Sequence, residues 1–151
     1  RVAKSLSPQE RVLQLAPEPS WRVVLDTVPS AEVVRLTQHK GFWFERHKAI
    51  SAERVRFAWE MQAATNGDYP AFKGKVRLRY TVRYPNRRRR DMDGILASFK
   101  SWTDTMRSND SEPSLGIFYD DSVQWCQMEV VVEPEPGEPR TIITVESRRA
   151  R

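Results

Sequence analysis

With 151 residues, 39% of them hydrophobic and including Trp 5 and Phe 6, the chain is too apolar for intrinsic disorder and too short for two ordinary domains. Lys and Arg number 25 against 20 Asp and Glu, a formal charge of +5, and the surplus is concentrated at Arg87 to Arg90 and at Arg148, Arg149 and Arg151, the kind of cluster that attracts phosphate. The single cysteine, Cys126, excludes an intramolecular disulfide and a Cys-rich zinc site and fits a reducing, cytoplasmic compartment, and no stretch reads as a membrane span or signal peptide.

Residues 1–20, with Pro17 and Pro19, read as a loosely held lead-in to a domain spanning 21–146, and 147–151 as a basic tail. Trp21 to Leu25 is a short strand ended by Asp26 to Pro29, and Ser30 caps a brief helix through Leu36. Gly41 marks a turn before the aromatic cluster Phe42, Trp43 and Phe44, whose rings are candidates for stacking on unpaired bases. Ser51 reads as an N-cap with Glu53 in the first helical turn. Val55, Ala58, Trp59 and Ala63 form the apolar face of that helix, which runs to about Ala64 and stops at Asn66-Gly67.

The strongest periodic signal is Lys75 to Tyr84. Val76, Leu78, Tyr80, Val82 and Tyr84 alternate with Lys75, Arg77, Arg79, Thr81 and Arg83, which predicts a strand with one face in the core and the other basic. Pro85 ends it and hands the chain to Arg87-Arg88-Arg89-Arg90-Asp91-Met92-Asp93. One helix is expected from Asp93 to Arg107. At about 100° per residue, Ile95, Leu96, Phe99, Trp102 and Met106 gather on one side, and Asp93, Ala97, Lys100 and Asp104 nearly opposite. Ser108 to Ser114 is a polar loop, Asp120-Asp121-Ser122 precedes a strand from Trp125 to Glu133, residues 133–139 turn, and Thr141 to Val145 returns as the last strand.

Each charged motif has a plain reading. Asp91 and Asp93 suit a helix cap and its dipole, the arginines a solvated patch, and Asp120-Asp121-Ser122 a turn. Their conjunction suits phosphodiester chemistry. Mg2+ takes carboxylate and water oxygens and leaves positions open for phosphate. It acidifies a bound water, and a nearby lysine offsets charge that develops on the phosphorus centre. Flanking arginines fix a nucleic-acid backbone without reading its sequence. His39 and His47 have no zinc-ligand spacing. Tyr119-Asp120-Asp121 is similar to a polymerase motif, but the chain has no room for a polymerase palm.

The run Pro85 to Asp93 resembles the Arg-rich Asp-x-Asp signature of RusA-type Holliday junction resolvases. Tyr119-Asp120-Asp121-Ser122 resembles that family's second acidic motif, and Ile50-Ser51-Ala52-Glu53 an upstream Val-Ser-Ala-Glu segment. The similarity extends over residues 20–146. It implies a single α+β domain, a mixed sheet with flanking helices, assembled as a C2 homodimer that binds branched DNA. The implied activity is paired, Mg2+-dependent cleavage of four-way junctions in bacterial or phage recombination and repair, with Mn2+ as an alternative ion and no small-molecule cofactor or membrane partner.

Carried over by motif, Asp91, Asp93 and Asp121 are the metal carboxylates, with Asp120 beside them. Lys100 is the charge-stabilising lysine, and Arg87, Arg88, Arg89 and Arg90 with Lys75, Arg77 and Arg79 contact the DNA backbone. Three features depart from the pattern: Gly94 stands where the family has Asn, Ala97 where it has Lys, and the family's early Pro-Ser-Asn-Asn-like loop survives only as Pro29-Ser30-Ala31-Glu32. Lys100 aligns only with about three extra residues at the helix start, although it keeps the Lys-x-x-x-Asp spacing to Asp104. A junction-binding protein without catalysis, and a nuclease preferring flaps or single strands, are the alternatives.

Overall fold

The computed structural model describes residues 20–33, 43–108 and 112–148. The lead-in before residue 20, the expected end of the brief helix at Leu36, His39, Gly41, Phe42, and Arg149 and Arg151 of the tail lie outside the described residues.

The central strand is the one with the cleanest alternation. β2 (Val76–Arg83) places Val76, Leu78, Tyr80 and Val82 fully in the core and leaves Arg77 and Arg79 exposed. It pairs antiparallel with β4 (Arg140–Ser147) on one side and parallel with β3 (Cys126–Val132) on the other. β1 (Ser20–Leu25) adds antiparallel to the far edge of β4, so the mixed sheet has the order β1-β4-β2-β3. The parallel β2–β3 pair requires a crossover, and the helices after β2 supply it. In register, Leu78 and Tyr80 stand beside Val145 and Ile143 of β4, which gives one apolar sheet face.

Among the described residues, α1 (Trp43–Thr65), α2 (Met92–Ser98) and α3 (Lys100–Met106) cover that face. Phe57 and Met61 of α1, Ile95 of α2, Phe99 between the last two, and Trp102 and Met106 of α3 join the strand residues in one core. Stacked rings organise its centre: Tyr80 lies 4.2 Å from Phe99 and Phe57 4.6 Å from Trp102, centroid to centroid. The Tyr80 hydroxyl, buried among these rings, meets the Thr103 hydroxyl at 2.8 Å. Burial pushes this phenol well above its ordinary pKa, so it stays neutral.

The architecture is the α+β mixed sheet that the sequence predicts, with two local differences. α1 begins at Trp43 rather than near Ser51, so Ser51 is an internal residue and not an N-cap. Its buried face is Glu53, Phe57 and Met61, while Val55 is 46% and Trp59 71% exposed. A charged residue occupies the core-facing stripe, so apolar periodicity alone points to the wrong side. The stop at Asn66 (φ 55) and Gly67 (φ 77) is the expected one.

The second difference is that the expected single helix from Asp93 to Arg107 is two helices broken at Phe99. Ser98 donates its hydroxyl to the Ile95 carbonyl at 2.6 Å, and the Phe99 N–H bonds the Leu96 carbonyl at 3.2 Å, tightening the last turn. The break keeps Ile95, Phe99, Trp102 and Met106 in the core but leaves Leu96, expected inside, exposed. Among the described residues no helix is long and apolar enough to cross a membrane.

Candidate nucleic-acid interface and acidic cluster

Pro85 releases the chain from β2 into a loop that its own arginines organise. The Asn86 side-chain oxygen accepts the Arg88 N–H at 3.1 Å. Arg90 folds back over the same loop, donating to the Asn86 and Arg88 carbonyls and to the Asn86 side chain at 3.0–3.3 Å. Its guanidinium lies 3.8 Å from the centre of the Tyr84 ring. Burial raises the Tyr84 pKa, with Arg90 pulling the other way. Arg87 pairs with Glu135 at 2.7 Å across an exposed surface. Arg88 and Arg89 project from the loop into an open cavity of about 700 Å3. Its opposite wall is formed by Pro29, Ala31 and Glu32, and Asp91 lines it as well.

Asp91 sits at the mouth of α2 as its N-cap, accepting the Gly94 N–H at 2.6 Å, and Asp93 lies in the first turn. Both positions suit carboxylates because the first turn carries unpaired N–H groups and the positive end of the helix dipole. The opposite wall is fixed from the core. Glu53, 3% exposed, accepts the Ser30 N–H at 2.6 Å and the Trp102 indole N–H at 3.1 Å, and it pairs with Arg56 through two bonds of 2.6 and 2.9 Å. Arg56 in turn donates to the Thr27 hydroxyl and the Val28 carbonyl. One ion pair between a buried carboxylate and a half-buried guanidinium therefore ties the 27–30 loop to α1 and α3. The bond to Glu53 holds the Arg56 pKa above its ordinary value despite partial burial.

A second polar cluster forms where α3 begins. The Lys100 ammonium is 2.6 Å from Asp121 and 3.0 Å from Asp104 one helical turn on. Arg107 reaches both carboxylates, at 3.5 Å from Asp104 and 3.6 Å from Asp121. Partial burial opposes charge on Lys100, and the bonds to Asp121 and Asp104 outweigh it, so its pKa is raised. Burial likewise opposes the Asp121 carboxylate, and the bonds to Lys100 and Asp104 together with the charges of Lys100 and Arg107 outweigh it, so that pKa is lowered. Asp120 serves the turn, its side chain accepting the Asp121 N–H at 2.8 Å. Cys126, at the start of β3, is buried, and burial followed by the nearby Asp121 charge pushes its thiol to about 11.

The sequence-predicted residues therefore divide among three places. Asp91 and Arg88 to Arg90 share the cavity, with Arg87 outside it on Glu135, and Lys100 and Asp121 meet at the α3 junction. Arg77 and Arg79 stand on the sheet face opposite the helices, which no other described element covers. That face is not uniformly basic, because β3 and β4 bring acids beside it: Arg79 pairs with Glu129, and Glu146 is in register with Arg77. A shallow depression of about 320 Å3 lies among these side chains. A seven-residue helix separates Asp91 from the Lys100–Asp121 pair, roughly 10 Å of rise. Among the described residues no three His, Cys, Asp or Glu side chains stand close enough together to hold a metal ion.

The sequence reading places Glu53 in an exposed first helical turn and gives Arg56 no role, since neither residue carries a local signal of burial. It noted Asp104 only for its spacing, although an i, i+4 Lys–Asp pair is itself a signal of contact. No protein-family model matches this chain, and no curated protein sequence matches it either.

Proposed function

We propose that this chain is a Mg2+-dependent, structure-selective endonuclease that resolves four-way DNA junctions, a RusA-like domain working as a C2 homodimer. The observation that carries the reading is the contact between Lys100 and Asp121. The motif resemblance joins these two residues across 21 positions of sequence, and the ammonium and carboxylate meet at 2.6 Å. The Arg88 and Arg89 side chains beside Asp91 add basic groups, able to hold a phosphate, to a cavity of about 700 Å3.

The oxygen donors have the hardness Mg2+ prefers, but Asp91 and Asp93 do not form one cage with Asp121 in this arrangement. A cation bound by these carboxylates would supply an acidified water and charge neutralisation. The chain's own contribution is separable from that chemistry. Arg88 and Arg89 hold a phosphate against the cavity wall, Arg90 and Tyr84 keep their loop in shape, and Lys100 supplies positive charge next to Asp121.

The test is incubation with a synthetic four-way junction and Mg2+, followed by separation of the strands. Paired nicks ending in 5′-phosphate and 3′-hydroxyl are expected from the wild type. Asp91→Asn is the informative variant, because Asn caps a helix about as well as Asp, so folding and junction binding persist while cleavage is lost. Cleavage by Asp91→Asn at the wild-type rate would remove Asp91 from the chemistry. A second reading, a junction-binding protein without catalysis, is favoured by the cap role of Asp91 and by the distance of Asp91 and Asp93 from any third metal ligand among the described residues. It is the outcome if wild type binds the junction and leaves every strand intact.

A further inference from the structure

Helix α1 carries two stripes, and the core takes only one of them. Glu53, Phe57 and Met61 are buried, while Phe44 is 76%, Val55 46% and Trp59 71% exposed. At about 100° per residue, Phe44, Lys48, Ser51, Ala52, Val55 and Trp59 fall within an arc of about 100° on the side away from the core. All six are exposed. Large apolar side chains aligned in this way mark a surface that meets another macromolecule. We propose that this stripe is where a second copy of the chain packs, antiparallel, across a two-fold axis at Ser51 and Ala52. The proposal rests on the nuclease reading only in expecting a homodimer, for which it supplies the surface.

The spacing selects a second copy as the occupant. Phe44 and Trp59 lie equally far on either side of the Ser51-Ala52 bond, and so do Lys48 and Val55. A two-fold axis through that point sets Phe44 against Trp59 of the partner subunit and Lys48 against Val55 of the partner subunit. Each contact then occurs twice, as an isologous interface requires. Ser51 and Ala52, the smallest side chains of the stripe, fall at the crossing, where packed helix axes approach to about 8–10 Å. Lys48 lays its methylene stem over apolar surface and keeps its ammonium in water, so the one charge in the stripe is tolerated.

The area is sufficient as well. With aromatic side chains presenting about 150–250 Å2 each, Phe44, Val55 and Trp59 leave roughly 400 Å2 open per copy. Two copies, with Lys48, Ser51 and Ala52 at the crossing, bury about 1,200 Å2, the lower bound of a stable interface. A dimer that dissociates in the micromolar range is expected, with Trp59 as its anchor.

The experiment is analytical ultracentrifugation of the full chain, without DNA or metal, over a range of concentrations. Wild type should pass from monomer to dimer as concentration rises. Trp59→Glu should raise the dissociation constant about thirtyfold, the scale of an aromatic hot spot, with the melting temperature of the monomer unchanged because the side chain lies outside the core. Phe44→Glu should act likewise. Val131→Lys, at an exposed apolar position of β3, should leave the dimer intact. Oxidation of cysteine variants reads the register. Ala52→Cys, at the crossing, should give a cross-linked dimer, whereas Gln62→Cys, about 30 Å from its counterpart along the axis, should not. Cys126 is buried and stays out of the reaction.

A wild type that remains monomeric at every concentration would overturn the proposal, as would a dimer that survives both Trp59→Glu and Phe44→Glu. Dissociation by Val131→Lys alone would move the contact to the sheet. Cross-linking of Gln62→Cys as readily as Ala52→Cys would overturn the antiparallel register. Junction cutting by a monomeric wild type would sink this interface and leave the nuclease reading standing, and an α1 dimer that cuts no junction would do the reverse.

Discussion

At the residue scale, the Lys100–Asp121 pair sets a pH window. The Asp121 carboxyl titrates below its ordinary 3.8, so its share of stability is present above that value and lost as pH falls through the lowered one. The Lys100 ammonium titrates above its ordinary 10.5, so its share is present below that value and lost as pH rises through the raised one. Urea unfolding of wild type and Lys100→Met should therefore differ across the plateau between the two and converge at either extreme. Because the lysine is largely exposed, the difference on the plateau should be small. A stability gap unchanged at acid pH would assign Lys100 another role. Cys126 gives a simpler expectation. With its thiol pushed to about 11 and its side chain buried, it should resist iodoacetamide at pH 8 in the folded protein and react once urea unfolds it.

At the element scale, the decisive contacts are those Glu53 makes between α1, α3 and the 27–30 loop. Glu53→Ala would leave the Trp102 indole, the Ser30 amide and one side of Arg56 without their acceptor. Leaving these buried donors without an acceptor costs about 2 kcal/mol, with the half-exposed Arg56 adding little, and denaturant titration would register it as a lower midpoint. Hydrogen exchange at the Ser30 amide should accelerate as well, since its 2.6 Å acceptor is gone. Loss of stability with unchanged Ser30 protection would mean that the loop is held by something else. The end of α1 makes a second point. Gly67 has a φ of 77°, and a Cβ there would lie 2.9 Å from the Gln62 side-chain oxygen. Gly67→Ala should cost about 1 kcal/mol, read as a downward shift in melting temperature.

At the scale of the whole molecule, the sheet face that carries Arg77 and Arg79 and the loop cavity that carries Arg88 and Arg89 are separate surfaces with no lining residue in common. Replacing Arg88 and Arg89 with Ala should weaken junction binding and lower the slope of log affinity against log salt by about 0.9 for each phosphate no longer neutralised. Replacing Arg77 and Arg79 should leave that slope near wild type, because Arg79 is paired with Glu129 and both side chains face away from the helices. The opposite ranking would move the nucleic-acid surface to the open face of the sheet.

The amino-acid sequence by itself determined the strand at Val76–Arg83, the stop of α1 at Asn66-Gly67, the strand positions on either side of the 133–139 turn, and the residue types gathered around Asp91. Those features are local: side-chain alternation, turn chemistry and a proline after a strand act within a few residues. Only the tertiary structure decided which face of α1 is buried, because Glu53 becomes tolerable in the core through Ser30, Arg56 and Trp102, two of them far away in sequence. It likewise decided that the helix after Asp91 breaks at Phe99, that Asp121 pairs with Lys100 and Arg107, and that the strand arginines lie across the sheet from the loop arginines. A buried charge or a shared ammonium depends on partners that the chain brings together only by folding, and no local period encodes them.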